Sequence, residues 1–105
     1  MNLSIDQYDA GDGVIRLAVS GEVDLATCNR LRTAIEDALT DPRTAELIVD
    51  LDWVSFLDST GIHAQIRGHG LAAERGIKYV VTNARKPVHR VLDIAGVLPI
   101  LTRLN

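Results

Sequence analysis

The chain has 105 residues, a formal net charge of −3 and one cysteine, and 47% of its residues are hydrophobic. This length indicates one domain, and the composition is that of a folded soluble protein rather than a disordered one. A lone cysteine excludes an internal disulfide framework, and no apolar run reaches the ~18 residues of a membrane span. The N-terminal sequence lacks the basic and apolar regions of a signal peptide. We therefore expect a cytoplasmic protein with a single domain at residues 1–105.

Charge is distributed unevenly along the sequence. Residues 1–60 carry four basic and twelve acidic side chains, whereas residues 61–105 carry seven basic and two acidic ones. Such asymmetry can steer a partner, although two halves of a sequence need not form two halves of a surface. The chain has only four aromatic residues, so a stacking platform for single-stranded nucleic acid is not expected.

The N-terminal region predicts an antiparallel hairpin. Residues 3–8 and 14–20 both have strand-like patterns, with apolar side chains at alternate positions in the second segment. Between them, residues 11–13 read Gly-Asp-Gly, which is a turn-forming sequence. The two strands and their turn therefore form the first predicted unit of the fold.

An amphipathic helix is predicted after this hairpin. Asp24 is a suitable N-cap, and the sequence Asp41-Pro42 ends the helical pattern. Cys28 falls on the apolar stripe and is interpreted as a small core residue rather than a reactive thiol. The stripe consists of Leu25, Cys28, Leu31, Ile35, Ala38 and Leu39.

The middle of the chain predicts a buried strand followed by a second helix. Residues 46–51 form a compact apolar run that suits a central strand covered on both faces. The helix is expected to begin near Ser59 and to end near Gly76, a natural residue just beyond a helix. Gly68 and Gly70 lie within it and indicate close packing or local looseness. Its expected apolar stripe is Ile62, Ile66, His69 and Ala73.

The C-terminal third predicts one more strand and one more helix. Residues 79–82 form the strand, Asn83 ends it, and Pro87 suits the first turn of the helix. The tail at 97–105 is apolar enough to dock, but its proline disfavours a central strand. The order β-β-α-β-α-β-α predicts an α/β fold in which a mixed sheet with an N-terminal antiparallel hairpin carries amphipathic helices.

The sequence Asp-Ser-Thr-Gly at residues 58–61 is the strongest candidate site. It lies where a buried strand meets the second helix, and strand ends in such sheets are common places for sites. A structural alternative remains open, in which Ser59 only caps the helix. Four acidic residues at element ends are expected to gather near Ser59: Asp24, Asp50, Asp52 and Asp58.

Enzymatic and metal sites are not supported by the sequence. The hydrolase elbow needs a glycine where Leu57 stands, and His89 precedes Asp93, with no histidine after it. The three histidines and Cys28 lack the spacing of metal ligands. The G-x-G-x-x-A match at residues 68–73 falls inside a helix rather than opening one. We therefore predict no catalytic residue, no metal site and no cofactor.

A basic cluster begins the third predicted helix. Its side chains either form a solvated face or bind a phosphate or an acidic partner, and both interpretations stay open. The cluster consists of Arg85, Lys86, His89 and Arg90.

Three segments together resemble the STAS domain of bacterial anti-sigma factor antagonists. Residues 17–32, LAVSGEVDLATCNRLR, match the family's strand, its G-E-[LV]-D motif and its helix. Residues 47–66, LIVDLDWVSFLDSTGIHAQI, resemble the central strand and the D-S-[ST]-G phosphorylation loop. Residues 79–97, YVVTNARKPVHRVLDIAGV, are similar to the fourth strand, its asparagine and the following helix. The resemblance covers about residues 3–101 in the family's order.

The resemblance implies a switch protein without enzymatic activity. In the family, the unphosphorylated antagonist binds an anti-sigma factor that is itself a serine kinase, and this binding frees the sigma factor. Phosphorylation of the antagonist's serine ends the interaction, and a serine phosphatase resets it. The alternative is a STAS scaffold or a transporter-associated STAS subunit without a phosphorylation cycle.

The resemblance also assigns roles by position. Ser59 matches the phosphorylated serine, and Asp58 matches the acid beside it. Asp24 matches the family's acidic contact residue, and Thr60 stands where some members have a second acceptor. Direct contact with nucleic acid or with a membrane is not implied. The implied partner-binding residues are Asp24, Asp58, Ser59, Thr60, Gly61, His63 and Asn83.

Overall fold

The computed structural model describes residues 2–101, in which a four-stranded sheet is joined to four helices. The sheet has the order β1-β2-β3-β4; β1 and β2 are antiparallel, and the other neighbouring pairs are parallel. The predicted mixed sheet with its N-terminal hairpin is therefore confirmed. The elements are β1 (Leu3–Gly11), β2 (Val14–Val23), α1 (Cys28–Thr40), β3 (Glu46–Leu57), α2 (Ser59–Glu74), β4 (Lys78–Thr82), α3 (Lys86–Ile94) and α4 (Leu98–Leu101).

The tail after α3 docks on the molecule as a short helix. Within α4, Leu101 is fully buried and belongs to the same hydrophobic core as the strands. The expectation that this segment docks without joining the sheet is therefore confirmed as far as residue 101. The rest of the predicted tail, residues 102–105, lies outside the described residues.

The helix α1 begins later than predicted. It starts at Cys28, which is partly buried and packs against the core as expected. Leu31 and Ile35 of the predicted stripe are buried beneath it, but Leu25 precedes the helix and is 77% exposed. Leu25 was predicted on the stripe because its spacing fits the helical period. The prediction was wrong, because the backbone at residues 24–27 forms a turn before the helix.

The strand β3 is longer than predicted, with 12 residues instead of six. Its register against β2 shifts between Ala18 and Ser20 and again between Gly21 and Glu22, so β3 contains two more residues than the matching part of β2. Such bulges bend a strand and increase its twist. Because β4 pairs only with residues 46–50, the remainder of β3 extends past β4 toward Ser59.

The buried face of α2 differs from the predicted stripe. Ile66 is 45% exposed and Ala73 is exposed. Small residues allow this helix to approach α1 and β4 closely. The predicted stripe was based on the spacing of larger apolar residues, so it did not include these small ones. The buried residues of α2 are Gly61, Ala64, Gln65, Gly68 and Ala72.

Gln65 is a polar member of this interface. It is fully buried, and its Oε1 accepts a hydrogen bond of 2.5 Å from the hydroxyl of Tyr79 on β4. Burial raises the pKa of Tyr79 far above its ordinary value, so the hydroxyl stays protonated and remains a donor. This bond therefore joins α2 to β4 within the core.

Two glycines of α2 provide a matched test of this packing. A Cβ at Gly68 would lie 2.8 Å from the Tyr79 hydroxyl oxygen and 2.9 Å from Cγ2 of Ile35, whereas a Cβ at Gly70 would meet nothing within 4 Å. We expect Gly68→Ala to lower the free energy of unfolding by about 1–3 kcal/mol through overpacking. Gly70→Ala should raise it by up to about 1 kcal/mol, because alanine favours the helix.

Urea denaturation of both variants beside the wild type measures the two effects. Equal changes for Gly68→Ala and Gly70→Ala would contradict the assignment of Gly68 to a tight helix contact.

Candidate functional site

The candidate site lies where β2 and β3 end together. Val23 and Leu57 are register partners at the last position of the parallel pair. The backbone N–H of Asp58 then donates to the carbonyl oxygen of Val23 at 3.1 Å. This bond places the turn that begins at Asp24 beside the start of α2, so the predicted proximity of Asp24 and Asp58 is supported by the strand register.

Asp58 is the N-cap of α2. Its Oδ1 accepts hydrogen bonds from the backbone N–H groups of Thr60 at 2.9 Å and Gly61 at 3.4 Å. The hydroxyl of Thr60 donates to the same oxygen at 2.5 Å. Partial desolvation opposes the charge on Asp58, but these hydrogen bonds prevail and hold the pKa of its carboxyl below the ordinary value. The carboxylate therefore stabilises the first turn of the helix.

Ser59 is the first residue of α2, and its side chain is exposed. Across residues 2–101, no hydrogen bond involves its hydroxyl group. The alternative in which Ser59 caps the helix is thus wrong, because Asp58 already fills that role. The free hydroxyl lies at the positive end of the helix dipole, where a negative group is stabilised.

Asp24 stabilises a turn rather than the helix itself. Its Oδ1 accepts from the backbone N–H groups of Ala26 at 2.9 Å and Thr27 at 3.1 Å. The hydroxyl of Thr27 donates to the carbonyl oxygen of Glu22 at 2.8 Å and accepts from the N–H of Asp24 at 3.0 Å. The N-cap of α1 is Thr27, so the expectation that Asp24 caps that helix was wrong.

Gly61 and His63 occupy different environments near Ser59. Gly61 is buried, and a Cβ there would lie 2.7 Å from Cγ of Leu57 and 2.9 Å from Cγ1 of Val23. Gly61 thus lets α2 pack closely on the strand ends, which gives it a packing role beneath the surface. His63 is exposed, one helical turn beyond Ser59.

The expected gathering of four acidic residues near Ser59 was wrong for Asp50 and Asp52. Asp50 precedes Leu57 by seven residues of extended strand, and its side chain is buried. It forms an ion pair with Arg16, and its Oδ1 accepts from Nδ2 of Asn83 at 3.1 Å. Desolvation opposes its charge, but hydrogen bonds from the Asp52 backbone and these two side chains lower the pKa of Asp50.

Asn83 belongs to this second group of residues and not to the vicinity of Ser59. It directly follows β4, whose last residue, Thr82, pairs with Asp50 of β3. Its φ is +60°, a conformation that asparagine adopts more readily than most residues. The structure therefore gives Asn83 two local roles, ending β4 and donating to Asp50, while its contact with a partner stays a prediction.

Arg85 of the basic cluster is engaged within the protein. Its Nε donates to Oδ1 of Asp52 at 3.2 Å, and its guanidinium lies 5.3 Å from the centre of the Trp53 ring. Sequence reasoning missed this contact because Arg85 is far from Asp52 and Trp53 in the sequence. The other members of the cluster, Lys86, His89 and Arg90, are exposed on α3.

Among the residues that the structure describes, no group of three or more His, Cys, Asp or Glu side chains could hold a metal ion. None of the helices formed by residues 2–101 is long and apolar enough to cross a membrane.

Comparison with known proteins decides the family. Residues 7–105 match the STAS domain family. The chain belongs to this family. This STAS domain is 29% identical over 101 residues to an anti-sigma F factor antagonist of Paenibacillus polymyxa, with 96% of this chain and 86% of the relative covered.

Solved structures share the fold of this STAS domain. An anti-sigma factor antagonist from Mycobacterium paratuberculosis is 30% identical with a TM-score of 0.79, covering 98% of this chain and 85% of the other. The antagonist SpoIIAA in its unphosphorylated form has a TM-score of 0.81 at 17% identity, covering 95% of this chain and 86% of the other. Its phosphorylated form has a TM-score of 0.75 at 16% identity, covering 95% and 89%.

Proposed function

We propose that this STAS domain is an anti-sigma factor antagonist of the cytoplasm whose binding is switched by phosphorylation of Ser59. The unphosphorylated form binds an anti-sigma factor that is a serine kinase and thereby releases a sigma factor. Phosphorylation ends the interaction, and a serine phosphatase restores it. The observation that carries the proposal is the exposed Ser59 hydroxyl, which is free of hydrogen bonds to residues 2–101. The names of the relatives support the same function.

The first turn of α2 is suited to hold a phosphate without unfolding. A phosphoserine adds about −1.5 to −2 charges at pH 7, and the N-terminus of a helix stabilises negative charge. Asp58 caps the helix through its own carboxylate, so modification of Ser59 leaves the cap intact. We therefore expect the phosphorylated protein to keep its fold and to change only the surface that a partner meets.

Ser59 is a better phosphate acceptor than Thr60 in this arrangement. The Thr60 hydroxyl donates its proton to Asp58, so its modification would break a contact that supports the cap. The Ser59 hydroxyl makes no such hydrogen bond to residues 2–101, so its modification breaks no contact of the cap. The protein supplies only the acceptor and the binding surface, while the kinase supplies the chemistry of phosphoryl transfer; the domain itself is not an enzyme in this proposal.

Incubation with the purified anti-sigma factor kinase of the host, magnesium and ATP tests the site assignment. Intact-mass measurement should find one added phosphoryl group on the wild type and none on Ser59→Ala. Ser55→Ala removes another exposed serine, four residues earlier on β3, and should be phosphorylated like the wild type. Full phosphorylation of Ser59→Ala would make the assignment wrong.

A further inference from the structure

One face of β1 and β2 points away from the hydrophobic core. Leu17 of β2 is fully buried in the core, so its neighbours Arg16 and Ala18 project from the opposite face of the sheet. Their register partners on β1 are Tyr8 and Asp6, and residues that pair in register project from the same face. These four side chains therefore share one surface.

Trp53 of β3 forms the far wall of a groove on this surface. Its register partner is Ser20, two residues after Ala18, which places the indole on the same face. The Trp53 side chain is 69% exposed and the Tyr8 side chain is 49% exposed. The groove has a volume of about 490 Å³, within the range of sites for small molecules. Its lining includes Asp6, Tyr8, Arg16, Ala18, Ser20 and Trp53.

The long side chains around this groove are held in place by other residues. The guanidinium of Arg16 forms an ion pair with Asp50 and lies 5.6 Å from the centre of the Tyr8 ring. The Trp53 ring is covered in the same way by Arg85, at 5.3 Å. Side chains that are fixed before binding lose little conformational entropy when a ligand arrives. The walls of the groove are therefore preorganised.

Two opposite charges line the groove without pairing with each other. Among hydrogen bonds and ion pairs to residues 2–101, the Asp6 carboxylate makes none, and the Arg16 guanidinium makes one, from Nη2 to Asp50. Asp6 pairs in register with Ala18, so Asp6 and Arg16 are diagonal neighbours, with their Cβ atoms roughly 7 Å apart. Because Ala18 has a small side chain, a ligand group above it can contact both charges.

This pair of charges fits a zwitterion better than a simple ion. A cation alone would contact Asp6 but would lie beside the guanidinium of Arg16, and an anion alone would lie beside Asp6. A ligand that carries both charges places each one next to its opposite, which is favourable in both contacts. The rings of Tyr8 and Trp53 provide apolar area for the rest of such a ligand.

We propose that this groove binds a free α-amino acid with an apolar or aromatic side chain. The ammonium group of the ligand contacts the Asp6 carboxylate, and its carboxylate contacts the remaining donors of the Arg16 guanidinium. Its side chain packs against the Trp53 ring. The inference is independent of the proposed function, since no residue of this groove belongs to α2 or to the turn that holds Asp24.

Titration with L-phenylalanine, followed by tryptophan fluorescence, tests the site. Trp53 is the one tryptophan of the chain, so its emission reports directly on the groove. We expect a saturable change with a dissociation constant of about 1 mM or below. N-acetyl-L-phenylalanine lacks the ammonium group and L-phenylalanine amide lacks the carboxylate, so each should bind at least about fivefold more weakly.

A substitution of Asp6 tests the ammonium contact from the side of the protein. Asp6→Asn changes an exposed residue of β1 and should weaken L-phenylalanine binding at least about fivefold. It should not weaken N-acetyl-L-phenylalanine, because that probe has no ammonium group. Asp37→Asn is the matched control, because Asp37 is an exposed aspartate of α1, which packs on the core face of the sheet. This control should bind L-phenylalanine like the wild type.

Three results would contradict the proposal. The absence of a saturable change with L-phenylalanine up to about 10 mM would rule out the site. Equal affinities for L-phenylalanine and its two derivatives would show that neither charge is used, and the zwitterion would then be wrong. Equal affinities of Asp6→Asn and Asp37→Asn for L-phenylalanine would remove Asp6 from the site, and the proposal with it.

Discussion

Replacing Ser59 with aspartate is expected to weaken binding to the anti-sigma factor at least about tenfold, or about 1.4 kcal/mol. The substitution places a carboxylate at the first position of α2, where the proposed function expects the partner to bind. A buried charge without a counterion is costly, so the complex loses affinity. The helix N-terminus stabilises the same charge in the free protein, so the free energy of unfolding should stay unchanged or increase slightly.

Two control variants separate charge from size and from net charge. Ser59→Asn has nearly the shape of Ser59→Asp without the charge, and its effect on affinity measures bulk alone. Gln7→Glu adds one negative charge at an exposed position of β1. Gln7 pairs with Leu17 in the middle of β2, away from the end of β2 next to Ser59. Calorimetry should find almost wild-type affinity for Gln7→Glu; wild-type affinity for Ser59→Asp would rule out a charge switch.

Gly21→Ala is expected to lower the free energy of unfolding by about 3 kcal/mol, through backbone strain and steric overlap together. Gly21 has a φ of +108°, and an added Cβ would lie 2.1 Å from the carbonyl oxygen of Asn2. That carbonyl also accepts the N–H of Glu22 at 2.9 Å, so the overlap would displace the start of β1 from β2. The glycine of the Gly-Glu-Val-Asp sequence is thus required by the sheet beside the candidate site.

Gly11→Ala is the matched control for strain without overlap. Gly11 has a φ of +89°, but a Cβ there would meet nothing within 4 Å. Its substitution should cost only about 1–2 kcal/mol, which is the conformational term alone. Urea denaturation of both variants measures the difference, and a cost for Gly21→Ala no larger than for Gly11→Ala would contradict the role of the Asn2 contact.

The sequence predicted the order of the elements because each has a strong local signal. The apolar run at 46–51 and the alternating residues of 14–20 indicate strands, and the spacing from Cys28 to Leu39 indicates a helix. The same local signal failed for Leu25, whose spacing fits a helical stripe. Its position was set by hydrogen bonds of Asp24 and Thr27 within the turn, which hydrophobic periodicity does not report.

The candidate site was predicted less completely, because its geometry depends on contacts between distant segments. Asp50 and Asp52 were expected near Ser59, but the length and bulges of β3 separate them from it. The sequence analysis considered only Ser59 as a cap of α2, whereas Asp58, which also has a favourable N-cap side chain, occupies that position. The packed face of α2 was not predicted, because it contains small residues such as Gly68 instead of a stripe of large apolar ones. Close helix contacts leave room for little side-chain volume.

The end of the sheet next to Ser59 consists of β2 and β3 alone, since β4 pairs no further than Asp50 and β1 begins opposite Gly21. The exposed residues of this two-stranded end are different residues from those that hold the four strands together. Mutations at exposed positions there, such as Leu25 and Phe56, can therefore change this surface without loss of the fold. In a genome with several related STAS domains, this separation lets duplicated copies diverge at this surface while the scaffold stays the same.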